Sequence, residues 1–405
     1  MNKNYYFLSC CLLLFFTCQT PIKEIPKPPK KPQNPHLQGF VKQYEQQFEA
    51  LLASTNTPGA GLVIVKDTEV LHLKGYGTKS AYSNDSVDVN TVFRIGSLSK
   101  GFASVLAGIL VEDGKLKWTD KVNKYVPEFV LKDPSQSNRV NLIHLLSQSS
   151  GLPYHAYTNL IEAGVTPKNI AKELKKVNLI SKEGEVYAYQ NAAYSLIGNI
   201  IEKVEKKSLP KIFNQQLFSP LKVKNTSTDY QSLVGADNIA LPHSGGNGNW
   251  RNRKISKKYY NAIPAGGINA SIADMGEWLQ LLLGNHPEII SEKTLAEIFQ
   301  PRINSKNRRR YFRNWDMVNE AYYGLGWRVL TNAQDTFIYH GGYVNGYRGE
   351  ILLDPKEKLG ICVLANAPSK MPKNSILTFL KTYAEKQDSI HAWEDRQVNL
   401  EVVQN

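Results

Sequence analysis

The 405-residue sequence predicts an α+β sandwich: an antiparallel β-sheet flanked by helices and interrupted by an inserted all-α subdomain. Three observations lead there. Short β-favouring runs occur near the start, at Ala60 to Val65 and Glu69 to Lys74. Others return near the end, at Gly326 to Leu330, Thr336 to His340, Gly349 to Leu353 and Gly360 to Ala365. Between the two groups, Thr119 to Lys257 reads mostly as helix, punctuated by Pro127, Pro134, Pro153, Pro167 and Gly184. Two early and three or four late strands must meet in one sheet for their apolar faces to be covered. The expected organisation is a sheet domain from 37–118 and 258–390, an all-α subdomain over 119–257, and a tail over 391–405.

At the N-terminus, Lys3 precedes an apolar run from Tyr5 to Phe16. That run is too short for a mature membrane-spanning helix and has the form of a secretory signal. Leu14-Phe15-Phe16-Thr17-Cys18 resembles the lipobox of bacterial lipoproteins, although Phe16 and Thr17 stand where small residues are usual. Residues 1–18 are therefore expected to be a lipoprotein-type signal peptide, with Cys18 as the site of lipid attachment. Residues 19–36 form a Pro/Lys-rich tether, since Pro21 to Pro35 holds six prolines and four lysines in fifteen residues. An exported, membrane-anchored protein of the periplasm or cell envelope is expected; the alternative is a cleaved signal followed by a soluble N-terminus. Three of the four cysteines fall in the first 18 residues, so Cys362 alone cannot support a disulfide framework in the folded part.

Leu37, Phe40, Val41, Tyr44, Phe48, Leu51 and Leu52 recur at helical spacing and predict an amphipathic helix ending before Pro58-Gly59. Lys66-Asp67-Thr68 joins the two early strands as a hairpin. Ser271 is the expected N-cap of a helix over Met275 to Leu283. Asp354-Pro355-Lys356-Glu357 separates the last two strands as a turn, and Asn374 to Glu385 reads as a closing helix.

The stretch Phe93-Arg94-Ile95-Gly96-Ser97-Leu98-Ser99-Lys100 opens a long apolar-periodic helix. Residues three apart share a helical face, so the Lys100 side chain can reach the Ser97 hydroxyl. A serine hydroxyl is a poor nucleophile until its proton is taken, and a lysine kept neutral can take it. The unpaired N–H groups of a helix start suit a developing oxyanion. Ser-x-x-Lys also occurs at Ser208–Lys211 and Ser219–Lys222, but Pro210 and Pro220 make those a helix cap and a turn.

Tyr187-Ala188-Tyr189-Gln190-Asn191 precedes a helix over Ala192 to Lys207, and the strand Phe337-Ile338-Tyr339 runs into His340-Gly341-Gly342. Tyr-x-Asn recurs at Tyr82, Tyr157, Tyr259 and Tyr343; Tyr189 is preferred because Asn191 begins a helix and lies between the other two motifs. His243-Ser244-Gly245 rivals the last motif but sits in a Gly/Asn-rich loop. The ordered Ser-x-x-Lys, Tyr-x-Asn and His-x-Gly series resembles the serine β-lactamase and penicillin-binding protein superfamily, in its class C β-lactamase and D-alanyl-D-alanine carboxypeptidase branch with related esterases. Leu145 to Pro153, Pro264-Ala265-Gly266-Gly267 and Tyr323-Gly324-Leu325-Gly326-Trp327 extend the likeness over roughly 37–386.

The resemblance implies an acyl-enzyme at Ser97, with Lys100 and Tyr189 sharing the proton traffic. A tyrosine base needs a nearby cation to hold the phenolate, a part that Lys100 can play. Asn191 would orient the substrate amide, and His340 would complete the polar wall. The N–H groups of Ser97 and Tyr343 would form the oxyanion hole, and Gly341 and Gly342 would let substrate approach the strand edge. Two departures limit the transfer. His340 stands where class C enzymes carry Lys, leaving Arg348 as a substitute cation or a plain surface residue, and Gln148 stands where His is frequent. The acyl donor is open between D-amino-acid peptides, β-lactams and small esters, and a non-catalytic envelope binding protein that kept the cleft is the alternative.

The formal charge of +13 gathers at Lys172 to Lys176, Arg251 to Lys258 and Arg302 to Arg313. Such clusters suit anionic lipid or cell-envelope polymer, or are simply solvated; no motif for specific nucleic-acid binding is present. The eight histidines show no ligand-like pairing, so no metal or other cofactor is expected.

Overall fold

A computed structural model describes residues 34–404 apart from 247, 306–311, 313 and 314. The signal, Cys18, nearly all of the tether and the Arg308-Arg309-Arg310 cluster lie outside the described residues. We use β1 to β12 for Gly59–Lys66, Glu69–Gly77, Val92–Arg94, His243–Gly246, Asn249–Asn252, Asn269–Ser271, Ile303–Asn304, Glu320–Tyr323, Arg328–Thr331, Thr336–Val344, Tyr347–Asp354 and Leu359–Ala365. The longer helices discussed are α1 (Pro35–Ser54), α2 (Ser99–Glu112), α3 (Ala192–Glu205), α4 (Ile272–Leu282), α5 (Met371–Ala384) and α6 (Gln387–Gln404).

Eight strands form one antiparallel sheet in the order β2-β1-β12-β11-β10-β9-β8-β7, so the early hairpin joins the late strands through β1 and β12. Ala60 pairs with Ala365 and Lys66 with Leu359. Both faces of this seam are covered, which is why β1 and β12 are buried throughout and read as unbroken apolar runs. Successive side chains alternate between faces. Leu62, Ile64, Ile361 and Val363 pack with α1 and α5, where Phe40 and Tyr44 meet Phe379 edge-on at 5.4 and 5.3 Å. Val63, Val65, Cys362 and Leu364 pack instead with α2 and α4, where Phe102 stacks on Trp278 at 3.8 Å. Each such buried ring contributes about 1.5–3 kcal/mol relative to exposure.

Local signals set the ends of these elements. Asn34 caps α1 by accepting from the N–H groups of His36 and Leu37, and Ser271 caps α4 by accepting from that of Asp274. Strand β10 runs four residues past the expected His340, because Asn345 and Gly346 both take positive φ (45° and 100°) and make the tight turn into β11.

The sequence reading differs from the structure in four places, the first being that β7 and β8 extend the sheet past the expected strands. The region expected to be all-α carries the hairpin β4–β5, whose Gly/Asn-rich strands lack the apolar alternation that marks a strand. The short strands β3 and β6 pair outside the main sheet, and residues 391–404 of the expected tail lie in α6. Among the described residues, no helix is long and apolar enough to cross a membrane.

Candidate active site

Strand β3 pairs with β6 and delivers the chain to a single 3₁₀ turn, Gly96–Leu98, from which α2 departs. Buried Arg94 anchors the approach by donating to the carbonyls of Ser256 and Lys258 at 2.9 and 2.8 Å. Gly96 has φ +54°, and a Cβ there would lie 2.9 Å from backbone atoms of Tyr343. A Cβ on Gly342 would lie 2.2 Å from the Ile95 carbonyl. These two glycines let β10 press against the turn that carries Ser97.

Lys100 is completely buried in the first turn of α2. Its Nζ lies 2.9 Å from Asn191 Oδ1, 2.9 Å from the Ala265 carbonyl and 3.5 Å from Ser97 Oγ. Burial pushes its pKa well below the usual lysine range, and the Arg328 charge adds to the effect. A neutral amine has two N–H bonds and one lone pair. The two carbonyl oxygens take the N–H bonds, which leaves the lone pair for the Ser97 hydroxyl.

Tyr189 is held in the same cleft by a ladder of hydrogen bonds. Gln148, itself at φ +63°, accepts from the Ala188 N–H at its carbonyl and from the Gln190 N–H at its side chain, at 2.8 and 2.7 Å. The His155 N–H donates to the Tyr189 carbonyl at 2.8 Å, and Gln190 Nε2 donates to the Pro153 carbonyl. Burial raises the Tyr189 pKa well above the usual tyrosine value, although its hydrogen bond with Ser97 acts in the opposite direction. Tyr189 is therefore a protonated phenol, and the phenolate supported by a lysine cation is not what this environment favours. The Lys100 amine sits 4.6 Å from the centre of its ring. Tyr187, two residues earlier, packs on Tyr323 with ring centroids 5.3 Å apart.

Ser97, Tyr189, Asn191, Gly341, Gly342 and Tyr343 line one cleft of about 340 Å³, with Lys100 beneath it. His340 does not line it. It shares strand parity with Ile338 and Val344, whose side chains enter the α2-side core, and is 1% exposed. Its Nδ1 lies 2.9 Å from the Gly341 carbonyl, which can only accept, so Nε2 accepts from the Tyr323 hydroxyl at 3.0 Å. Burial, with the nearby Arg328 charge, holds its pKa well below the ordinary histidine value. His340 is thus a neutral support under β10 and brings no charge to a substrate.

Positive charge at the cleft comes from Arg328 and Arg348. Arg348 Nε donates to Glu350 at 2.8 Å, and fully buried Glu350 also accepts from Tyr339 at 2.5 Å, so the Arg348 charge is largely matched. Sequence reasoning missed Arg328, Tyr154, His155 and the cleft role of Tyr259. Arg328 directly follows the Tyr323 to Trp327 motif, and Tyr259 was visible only as a rival Tyr-x-Asn. Asn191 Nδ2 donates to Tyr259 Oη at 3.4 Å, which orients the amide oxygen towards Lys100.

The rival Ser-x-x-Lys and His-Ser-Gly motifs stand away from the cleft. Ser208, Lys211, Ser219 and Lys222 are exposed. His243 is structural: its Nε2 accepts from the Ala81 N–H at 2.9 Å, and its Nδ1 donates to the Asn366 carbonyl at 2.8 Å. Among the described residues, no group of three or more His, Cys, Asp or Glu is arranged to hold a metal.

The family described as Beta-lactamase matches residues 44–383, a range that contains every cleft residue named above. Protein flp of Staphylococcus aureus (strain COL) is 28% identical over 372 residues, covering 87% of this chain and 70% of that protein. Unguisins hydrolase ungD of Aspergillus violaceofuscus (strain CBS 115571) is 23% identical over 347 residues, covering 80% of this chain and 61% of that one. The solved structure of the octameric penicillin-binding protein homologue from Pyrococcus abyssi is similar with a TM-score of 0.70 at 25% identity, over 81% of this chain and 74% of that chain. The chain belongs to the beta-lactamase family, within the superfamily of serine β-lactamases and penicillin-binding proteins.

Proposed function

We propose that this protein is an exported serine hydrolase that forms an acyl-enzyme at Ser97 on a D-amino-acid peptide, a β-lactam or a small ester. The observation that carries the reading is the Lys100 amine, whose N–H bonds go to Asn191 and Ala265 while Ser97 lies at its remaining position. Lys100 takes the Ser97 proton as Oγ attacks the carbonyl carbon, and the N–H groups of Ser97 and Tyr343 receive the oxyanion. Tyr189, hydrogen-bonded to Ser97, passes the proton to the departing group. A substrate carboxylate would meet Arg328 or Arg348 instead of neutral His340. A named hydrolase among the relatives supports the reaction class. Export and a lipid anchor at Cys18 rest on the N-terminal sequence, as does attraction of the basic surface to anionic envelope polymer. Loss of radiolabelled palmitate incorporation in Cys18→Ser would support the anchor, and labelling that persists would sink it.

The deciding experiment is an intact-mass measurement after incubation with benzylpenicillin and, separately, p-nitrophenyl butyrate, with Ser97→Ala as control. A Ser97-dependent adduct or Ser97-dependent turnover is expected. Neither in the parent protein, or equal turnover in Ser97→Ala, would overturn the reading in favour of a binding protein that kept the cleft.

A further inference from the structure

We infer that His155 is a second proton acceptor in this cleft, the residue that activates water to release the acyl group from Ser97; the inference rests on the acyl-enzyme reading above. Releasing the acyl group requires a base that meets solvent. Lys100 is completely buried beneath Ser97, and Tyr189 is 7% exposed and kept protonated by its surroundings. Glu350 is fully buried and bonded to Arg348 and Tyr339. Both ring nitrogens of His340 are occupied. Tyr259, its pKa pushed up to about 12 by burial and by Glu162, is no base near neutrality.

His155 differs from all of these. Its side chain is exposed and lines the same cleft as Ser97. Its backbone has φ +58°, a left-handed conformation that a residue with a Cβ adopts at a cost of about 1–3 kcal/mol. The strain is maintained by the hydrogen bond from its N–H to the Tyr189 carbonyl and by the bond from Gln190 to Pro153. The ring stands edge-on to Tyr189 and Tyr154, with centroids 5.7 and 4.2 Å apart. Nδ1 lies 3.2 Å from Thr158 Oγ1. With Nδ1–H donated to Thr158, Nε2 is the nitrogen left for a water molecule. The ionisable groups around the ring are Lys100, Tyr154 and Tyr189. Desolvation by the cleft walls keeps the imidazole below its usual pKa, and therefore neutral near pH 7.

In the step this allows, Nε2 accepts a proton from water while the water oxygen bonds to the acyl carbon. Collapse of the tetrahedral intermediate breaks the bond between carbon and Ser97 Oγ. The Oγ takes the proton of the Tyr189 hydroxyl to which it is hydrogen-bonded, the imidazolium of His155 returns the water proton to Tyr189 through cleft water, and the net change is consumption of one water and release of one acid.

The test separates acylation from release. With p-nitrophenyl butyrate, the nitrophenolate burst reports acylation of Ser97 and the later steady rate reports deacylation, while quenched intact mass counts the butyryl adduct. His155→Gln and His155→Ala should keep the burst rate within about twofold of the parent and slow deacylation by about 10²-fold or more, so that the adduct accumulates. Added imidazole should restore release in His155→Ala. The parent deacylation rate should rise with pH through the histidine titration, and His155→Gln should lose that rise. Unchanged deacylation, or equal loss of burst and release without imidazole rescue, would overturn the assignment. A parent protein with neither burst nor adduct would instead remove the Ser97 reading, and this one with it.

Discussion

The amine of Lys100 lies 3.5 Å from the hydroxyl of Ser97, and its other two contacts, at 2.9 Å each, are carbonyl oxygens. Burial and the Arg328 charge push its pKa down and favour the neutral amine, which is aimed because both N–H bonds are committed elsewhere. Charge state and direction are thus set by different parts of the chain, α2, the Asn191 turn and the Ala265 carbonyl.

Replacing Lys100 with Arg tests whether a lone pair or merely a cation is needed. Arginine stays protonated and cannot accept the serine proton. We expect Lys100→Arg to lower the acylation rate by roughly 10²–10⁴-fold, measured as the burst rate with p-nitrophenyl butyrate. A variant within threefold of the parent would remove Lys100 from the base role.

Tyr189→Phe keeps the buried ring and its packing on Tyr323 while removing the hydroxyl that bonds Ser97. Acylation should fall by about 10²-fold or more, with the thermal midpoint nearly unchanged. Equal burst rates in the two proteins would take the phenol out of the proton path.

Gly342→Ala would push a methyl group against the Ile95 carbonyl and force β10 away from the nucleophile turn. We expect a loss of about 1–3 kcal/mol in stability and slower acylation, read by denaturant melts and burst kinetics. Exposed Gly39 in α1 has nothing within 4 Å of an added Cβ, and Gly39→Ala should stabilise by about 0.5–1 kcal/mol. Reversal of these two signs would contradict the close approach described here.

The neutral, buried state of His340 predicts a pH dependence of stability. Its folded pKa is depressed, so below the unfolded value near 6.5 the unfolded chain binds the extra proton. The contribution is fully present above that value and is lost as pH falls towards the folded pKa, at up to about 1.4 kcal/mol per pH unit. Between pH 7 and 5 the parent should therefore lose more unfolding free energy than His340→Gln, by equilibrium urea melts at each pH. Parallel losses would mean that His340 charges freely in the fold.

The sheet's two groups of strands, the long first helix and the order of the motifs were legible because each is written in local periodicity or in a short pattern. Strands β1 and β12 read as strands from their apolar runs, and Ser271 read as a cap from its place before an apolar helix. The hairpin β4–β5 and the strands β3 and β6 were not legible, since strands of three or four residues owe their existence to partners elsewhere in the chain, as Arg94 with Asn269. Tyr259 looked like a mere rival of Tyr189, yet the fold brings it to Asn191.

By itself, the order of residues determined that Ser97 and Lys100 lie one turn apart where a long helix begins and that strands from both ends of the chain belong to one sheet. Only the tertiary structure decided that the Lys100 pKa is pushed down, that Tyr189 is a phenol, that His340 faces the core and that His155 meets solvent. Those properties depend on desolvation and on partners contributed by distant segments, and neither quantity is encoded in the spacing of neighbouring residues.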